Sequence, residues 1–476
     1  MNRFEKLISI RNIIILGLIL RLAFMIWGAP IYYGTPEYAA KGGDTHAWVL
    51  SMQNLVHTGT YTADTNYDDG KFFRPPGYSF FLLPFYFLSG FNLKLMYLLA
   101  QIFQVLLDTI SILLIYGIIK NANGNDKIAL LGSLLYCIYP FSIVWSPYLY
   151  AESPSVFFLL LSVYFITKEP QKRDYLFSGI ALGFAVLLRV QIIFAAPGIA
   201  IYLIIKNKSF IKLFVTPALF FFIAFGLTYG SWPIRNLCYG KFIPAEELQN
   251  DKHFSADFIA YMFYIWSVKT DHNPQFEQII NGQKVEWPKA SYLHPEDSAT
   301  LARMAVLCNT CGRGFSHFKA SAGKIDKPIL EDNDCTKEIA ATFNRLRQEQ
   351  IKENKFHFYI TVPLSNLKKA LFKFSLYGEK SFLVKLVSTV LFTYRTLFIF
   401  LGLIGIWLNR KMKLINQDFL MMILIYFTLW YLVICFGYRN MEIRYFLMND
   451  VLLLIPASIS IVFLLEKMRL KINFKN

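Results

Sequence analysis

Charged side chains next to long apolar runs are the residues of this chain best placed to do chemistry, because a charge at membrane depth is costly and rarely without purpose. Glu152, Arg189, Arg235, Glu442 and Arg444 each stand at the end of an apolar run. The polar stretch from Pro30 to Pro76 adds Asp44, His46, Asp64, Asp68, Asp69, Lys71 and Arg74. Guanidinium groups pair bidentately with phosphate oxygens, and a nearby carboxylate can serve as a general base. Together they suit chemistry on a phosphate-bearing molecule held at head-group level. Any one of these charges is equally well read as a solvated helix end, but five helix ends agreeing is harder to dismiss.

Three more charges lie inside apolar runs. Arg21 and Asp108 sit at similar depth in the first and second runs, which predicts a structural ion pair. Arg395 lies mid-run with no evident partner. Of six cysteines, Cys137, Cys238 and Cys435 fall in or beside apolar runs and read as small apolar fillers. Cys308, Cys311 and Cys335 share one long polar stretch; a disulfide with Cys335 as one partner is expected there, a zinc site completed by His317 being the alternative.

The elements that must position these residues are membrane spans. Of 476 residues, 55% are hydrophobic and only 17% charged, where a soluble protein usually carries about a quarter. Aromatic residues at 17% exclude a disordered chain, and the basic faces that nucleic-acid binding needs are absent. The expected fold class is an all-α polytopic membrane protein. Ten spans are predicted, near residues 12–29, 93–119, 128–146, 152–167, 175–189, 192–205, 211–230, 382–408, 417–437 and 446–465. Tyr78–Ser89 is apolar but spans only about 18 Å as a helix, so an interfacial or re-entrant helix is expected. No internal repeat is evident, which weighs against inverted-repeat transporters. Arg21 interrupts the first run and no small-residue cleavage site follows, so an uncleaved anchor is expected rather than a signal peptide.

The net charge of +16, from 48 basic and 32 acidic residues, acquires meaning once it is located. Basic clusters at Arg3, Lys6 and Arg11; Lys168, Lys172 and Arg173; Lys206, Lys208 and Lys212; Arg410, Lys411 and Lys413; and Lys467, Arg469, Lys471 and Lys475 all fall on one side of a ten-span topology. That side is cytoplasmic by the positive-inside rule, with both termini on it. The chain then divides into a transmembrane module, 1–235, whose first outer loop is 30–77; a large outer loop, 236–381; and the C-terminal spans, 382–476. The large loop is nearly neutral, with 19 basic against 17 acidic residues. It is expected to be α or α+β, with a helix near Lys337–Lys355. The basic amphipathic segment Leu364–Leu376 is expected to lie on the membrane surface or to pack on its own loop.

Several of these residues sit in segments that resemble a known family. Gly42-Gly43-Asp44 with Ala47, Leu55 and Gly59-Thr60-Tyr61, then Arg74-Pro75-Pro76-Gly77-Tyr78, resembles the first loop of GT-C glycosyltransferases of the dolichyl-phosphate-mannose protein mannosyltransferase type, relatives of which include lipid A aminoarabinose transferases. Ser146–Glu152 resembles the family segment with an acid at the start of the fourth span, and Leu187-Leu188-Arg189 its Leu-x-Arg element. Ser231–Asn236 resembles the Pro-Trp-x-x-Arg-Asn element, followed by Gly240 and Pro244; Glu442-x-Arg444-Tyr445 resembles the Arg-Tyr before the last spans. The commoner pattern has a second acid after the loop aspartate, where this chain has Thr45 and His46.

The resemblance implies an inverting glycosyltransferase of the membrane that uses a polyprenyl-phosphate-linked sugar. Asp44 and Glu152 would be catalytic, Asp44 deprotonating the acceptor hydroxyl. Arg74, Arg189, Arg235 and Arg444 would bind the donor phosphate, and His46, Tyr61, Tyr78, Trp232 and Glu442 the substrates. A divalent metal would be optional. The acceptor would be a lipid, glycan or protein hydroxyl on the extracytoplasmic face, most simply of a bacterial inner membrane, with no nucleic-acid partner. The rival readings are a polysaccharide polymerase or ligase that uses a diphosphate-linked glycan and, less well supported, a transporter of an anionic substrate.

Overall fold

The computed structural model describes residues 9–34, 39–65, 68–168, 171–208, 218–246, 254–269, 273–372, 382–439, 442 and 444–473. Among them the chain is helical throughout, without a strand, and the all-α polytopic architecture expected from composition is borne out. Among the described residues, six helices are long and apolar enough to cross a membrane by length and composition: Ile10–Tyr33, Leu93–Asn121, Val190–Asn207, Lys385–Met412, Gln417–Tyr438 and Met448–Met468. The other expected spans are helical but shorter or interrupted. The 128–146 run is divided into Asp126–Cys137 and Pro140–Trp145, since Pro140 cannot donate its backbone N–H to a continuing helix. Glu152–Thr167 (α1) and Lys172–Leu188 (α2) have 16 and 17 residues. Leu219–Cys238 (α3) carries Pro233 near its end; the first residues of that expected span, 211–217, lie outside the described residues.

The buried ion pairs explain how these helices tolerate charge. Arg21 pairs with Asp108, which also accepts from Tyr136 at 2.6 Å and Ser142 at 2.5 Å. Remaining guanidinium protons go to Ser142 Oγ at 3.0 Å and the Cys137 carbonyl at 3.1 Å. The expected structural pair therefore exists, with the extra hydrogen bonds that a desolvated pair requires. Arg395, on Phe382–Met412 (α4), has a partner that sequence reading missed: its Nε donates to Asp450 at 2.5 Å. Its other nitrogens donate to the Ala370 carbonyl at 2.6 Å and Tyr431 Oη at 2.7 Å.

The large loop forms a helical unit with its own core. Ala256–Val268 (α5), Asp297–Thr310 (α6), Arg313–Ser321 (α7) and Asp334–Glu353 (α8) bury Phe258, Tyr261, Leu301, Phe315 and Phe343 together. The last of these is the helix expected near 337–355. Cys311 and Cys335 are joined in a disulfide, so the zinc alternative is corrected: two of the three thiolates it needed are consumed, and Cys308 is buried and free. The described residues contain no cluster of three potential metal ligands. Val362–Phe372 (α9) covers the first part of the basic amphipathic segment; Lys373 to Leu376 lie outside the described residues. It packs against the spans, with Asn366 donating to the Cys435 carbonyl and Ala370 accepting from Arg395, and also touches α5 of its own loop.

Candidate active site

Six charged residues predicted from sequence meet at one end of the bundle, and local structure explains how five of them arrive there. Asp44 stands in the first turn of Gly43–Thr58 (α10), where the helix N-terminus favours an acid. The turn is fixed by Thr45, whose hydroxyl accepts from the Gly42 N–H at 3.2 Å and donates to the Leu149 carbonyl at 2.8 Å. Thr45 occupies the position where the commoner pattern has an acid, and here it ties the loop helix to the segment leading into Glu152. Gly42 has no room for a side chain: a Cβ would lie 2.3 Å from Tyr148 Oη and 2.5 Å from Tyr150 Oη. The Asp44 N–H in turn donates to Tyr150 Oη at 3.3 Å.

Arg74 precedes Pro75-Pro76, which lead into Gly77–Leu88 (α11), the short helix expected at the interface. Gly77 abuts the end of α2 so closely that a Cβ would lie 2.4 Å from the Leu187 carbonyl carbon. That approach delivers Arg74 to the neighbourhood of Arg189, the extended residue that ends α2. Glu152 is the first residue of α1, and Arg444 the first of Arg444–Asn473 (α12). Lys168, at the far end of α1, pairs with Asp174 at 2.7 Å, so the basic cluster lies at the opposite end of the bundle from the site.

The carboxylate of Asp44 is clamped. Arg74 Nη2 donates to Oδ1 and Arg444 Nη1 to Oδ2, each at 2.8 Å. Arg189 donates to Glu152 Oε1, which also lies 3.8 Å from Arg444 Nη1. Arg74 Nη1 donates to Glu246 at 2.6 Å, and Arg444 Nε to Glu442 at 2.6 Å. Tyr445 Oη holds the other Glu442 oxygen at 3.0 Å. The Trp48 ring lies 5.5 Å from the Arg74 guanidinium and 5.7 Å from that of Arg189. Burial pushes Asp44 up, but the charges of Arg74, Arg444 and Arg189 outweigh it and hold the carboxyl at about 2. Burial lowers Arg74, but Glu246 and Asp44 together raise it above its ordinary value.

The network leaves some groups open. Glu152 Oε2, Arg74 Nε and Arg189 Nε are buried without a hydrogen-bond partner among the described residues. A crevice lined by Trp48, Arg74, Arg189, Gln191 and Glu246 opens beside them. Arg74, Arg189 and Glu246 wall the crevice, and Asp44, Glu152 and Arg444 are joined to them through the network; such a set can bind a phosphate, take a proton and stabilise a leaving group.

The other predicted residues are placed differently. Arg235 is outside the network: its Nη1 donates to the Lys71 carbonyl at 2.6 Å and its Nη2 to the Tyr61 carbonyl at 2.8 Å, clasping the first loop. Its guanidinium also stacks on Trp232 and Tyr239. Trp232 donates to the Ala245 carbonyl at 2.7 Å, and Tyr61 is bonded to Ser79 at 3.1 Å. Tyr78 is buried, donating to Gln104 at 2.6 Å and packing on Trp48. His46 is exposed on α10. Sequence reading missed Glu246, Trp48 and Tyr150. Glu246 had one available signal, as an acid two residues beyond Pro244, the last residue of a recognised motif.

Residues 73–232, about a third of the chain, match the family model for dolichyl-phosphate-mannose-protein mannosyltransferase. The resemblance read from the loop and helix-end segments is thereby borne out. The chain's fold is similar to that of the oligosaccharyltransferase AglB from Archaeoglobus fulgidus. Against the complex with an inhibitory peptide and a dolichol-phosphate it has 12% identity and a TM-score of 0.53, covering 100% of this chain and 52% of that one. Against the apo form the values are 13%, 0.54, 100% and 52%. A form tethered to an acceptor peptide containing the NVT sequon gives 12%, 0.53, 97% and 50%. The chain thus spans about half the length of these structures. The sequence matches none of the curated proteins compared with it. The matched segment is thus similar to a family of sugar transferases, and the solved structures share the chain's fold.

Proposed function

We propose that this protein transfers a sugar from a polyprenyl-phosphate-linked donor to an acceptor hydroxyl by a single inverting displacement, on the extracytoplasmic face of a bacterial inner membrane. The observation that carries the proposal is the clamp on Asp44, in which Arg74 and Arg444 each hold one carboxylate oxygen. A lipid phosphate entering the crevice competes for the same guanidinium groups, which pair bidentately with phosphate. As Arg74 and Arg444 turn towards it, Asp44 loses the charges that hold it near 2 and becomes basic enough to take a proton. The acceptor oxygen attacks the anomeric carbon and its proton passes to Asp44. The bond from that carbon to the phosphate oxygen breaks, and polyprenyl phosphate leaves with the bonding pair. Arg74, Arg189 and Arg444 stabilise the charge that develops on it. Glu152, fixed by Arg189, orients the sugar or the acceptor through its open oxygen.

The dolichol-phosphate bound in one similar structure supports a lipid-phosphate donor. The acceptor is a lipid, glycan or protein hydroxyl. Arg74, Arg189 and Arg444 meet the charge that develops on the leaving phosphate, so a divalent cation is an optional aid in this mechanism, not a required part. The positive-inside rule supports cytoplasmic termini and an outward site, since the site lies at the end of α1 opposite Lys168. The test is steady-state transfer from a polyprenyl-phosphate sugar in proteoliposomes. Arg74→Gln should raise the donor KM by about tenfold or more while the acceptor KM changes little. An unchanged donor KM would remove Arg74 from the phosphate site.

A further inference from the structure

A second pocket, unrelated to the clamp, lies where the loop unit meets the end of a span. It offers about 270 Å³ and is lined by Phe263 and Trp266 of α5, Arg347 of α8, Phe358, and Tyr438 and Arg439 at the end of the span Gln417–Tyr438. That volume is near the lower end of the range of pockets that hold small ligands, about 300 Å³. Two cations face it. Arg439 is 7% exposed and held by backbone carbonyls, Nε donating to Phe436 at 3.1 Å and Nη2 to Phe358 at 2.8 Å. Its Nη1 is buried with no hydrogen-bond partner among the described residues. The guanidinium lies 3.7 Å from the Phe358 ring centre, and that of Arg347 5.1 Å from Phe263.

No described carboxylate forms a salt bridge with either arginine. Burial lowers both, and the charge of Arg347 lowers Arg439 further, so two like charges share a partly dry pocket. Arg439 also adopts a left-handed backbone, φ 64°, a conformation that is uncommon and costly for a side chain of this size. Such an arrangement is stabilised by an anion. The surroundings indicate where the anion comes from: Phe356, Tyr359, Ile360 and Leu364 are exposed beside the pocket, continuous with α9 lying against the spans. Exposed apolar side chains at the end of a span are wetted by acyl chains at low cost.

We propose that this pocket binds the phosphate of an anionic membrane phospholipid between Arg347 and Arg439, with the aromatic walls holding the glycerol and upper acyl region. The site stands apart from the transfer reaction and does not depend on it. The probe is dioleoylphosphatidylglycerol, added to the full chain in detergent and followed by native mass spectrometry, with dioleoylphosphatidylcholine and inorganic phosphate as separate arms. The wild type should bind phosphatidylglycerol about tenfold more tightly than Arg347→Gln/Arg439→Gln, from the loss of two charge-assisted contacts. Gly437→Glu keeps both arginines and adds a carboxylate to the pocket wall. Its Cβ meets nothing closer than Val433 Cγ1 at 3.9 Å, so it tests the site even where the double variant folds poorly. It should weaken binding by a similar factor. Equal binding of phosphatidylglycerol to the wild type and Gly437→Glu, or of both lipids to the wild type, would overturn the proposal. Inorganic phosphate alone binding as tightly as phosphatidylglycerol, with the same loss in the variants, would assign the pocket to free phosphate and overturn the lipid assignment.

Discussion

Asp44 receives a guanidinium on each oxygen, one from 30 residues away and one from 400. Composition made such a meeting expected, since carboxylates and arginines crowd the helix ends, but pairing across 400 residues has no local signature. The clamp has a pH consequence. The carboxyl is held at about 2, below its ordinary 3.8. Its contribution to stability is therefore complete above the unfolded value, near pH 4, and is lost as pH falls through about 2. In detergent, the melting-temperature difference between wild type and Asp44→Asn should be constant from about pH 5 to 7 and shrink below about pH 4. Arg235 shows the limit of reading roles from residue type. An arginine at a helix end was expected to meet phosphate; instead it binds two carbonyls of the first loop. Arg235→Ala should lower kcat through a loosened loop while the donor KM stays within about twofold, measured as for Arg74→Gln. A tenfold rise in donor KM would restore it to the phosphate site.

The helices were legible because each span must satisfy its own backbone within apolar residues, which leaves a run in the sequence. The end of α2 at Arg189 is readable too, whereas Pro140 divides a run that reads as one span and Pro233 lies inside α3 without ending it. What periodicity could not supply was the partner of a buried charge. Arg21 and Asp108 match by depth, whereas nothing in the sequence joins Arg395 to Asp450, near the start of the last apolar run. Their pair is buried, with Tyr431 also donating to Asp450 at 2.9 Å. Removing one member leaves a lone charge in an apolar core. Arg395→Met should destabilise the protein by about 3–5 kcal/mol, and Arg395→Met/Asp450→Leu should recover most of that in thermal unfolding. A double variant no more stable than the single would mean that the cluster holds the helices by shape rather than by charge.

At the scale of the whole molecule, Lys168 and the reactive charges about Glu152 stand at opposite ends of α1, the separation that the charge pattern of the sequence predicts. The loop unit was less legible: its neutral, mixed pattern carries no family motif, and its core of Phe258, Tyr261, Phe315 and Phe343 exists only once four helices pack. Its disulfide was expected through Cys335, while the choice of Cys311 over Cys308 follows from Cys308 pointing into that core. The proposed reaction takes place at one end of the bundle, with Asp44 as its base. The most direct test is transfer of sugar from a polyprenyl-phosphate donor by purified protein in proteoliposomes, comparing the wild type with Asp44→Asn at matched folding. Transfer by the wild type and a loss of about 100-fold or more in kcat for the variant, with donor binding intact, is the result predicted. Wild-type transfer with full activity in Asp44→Asn would contradict it.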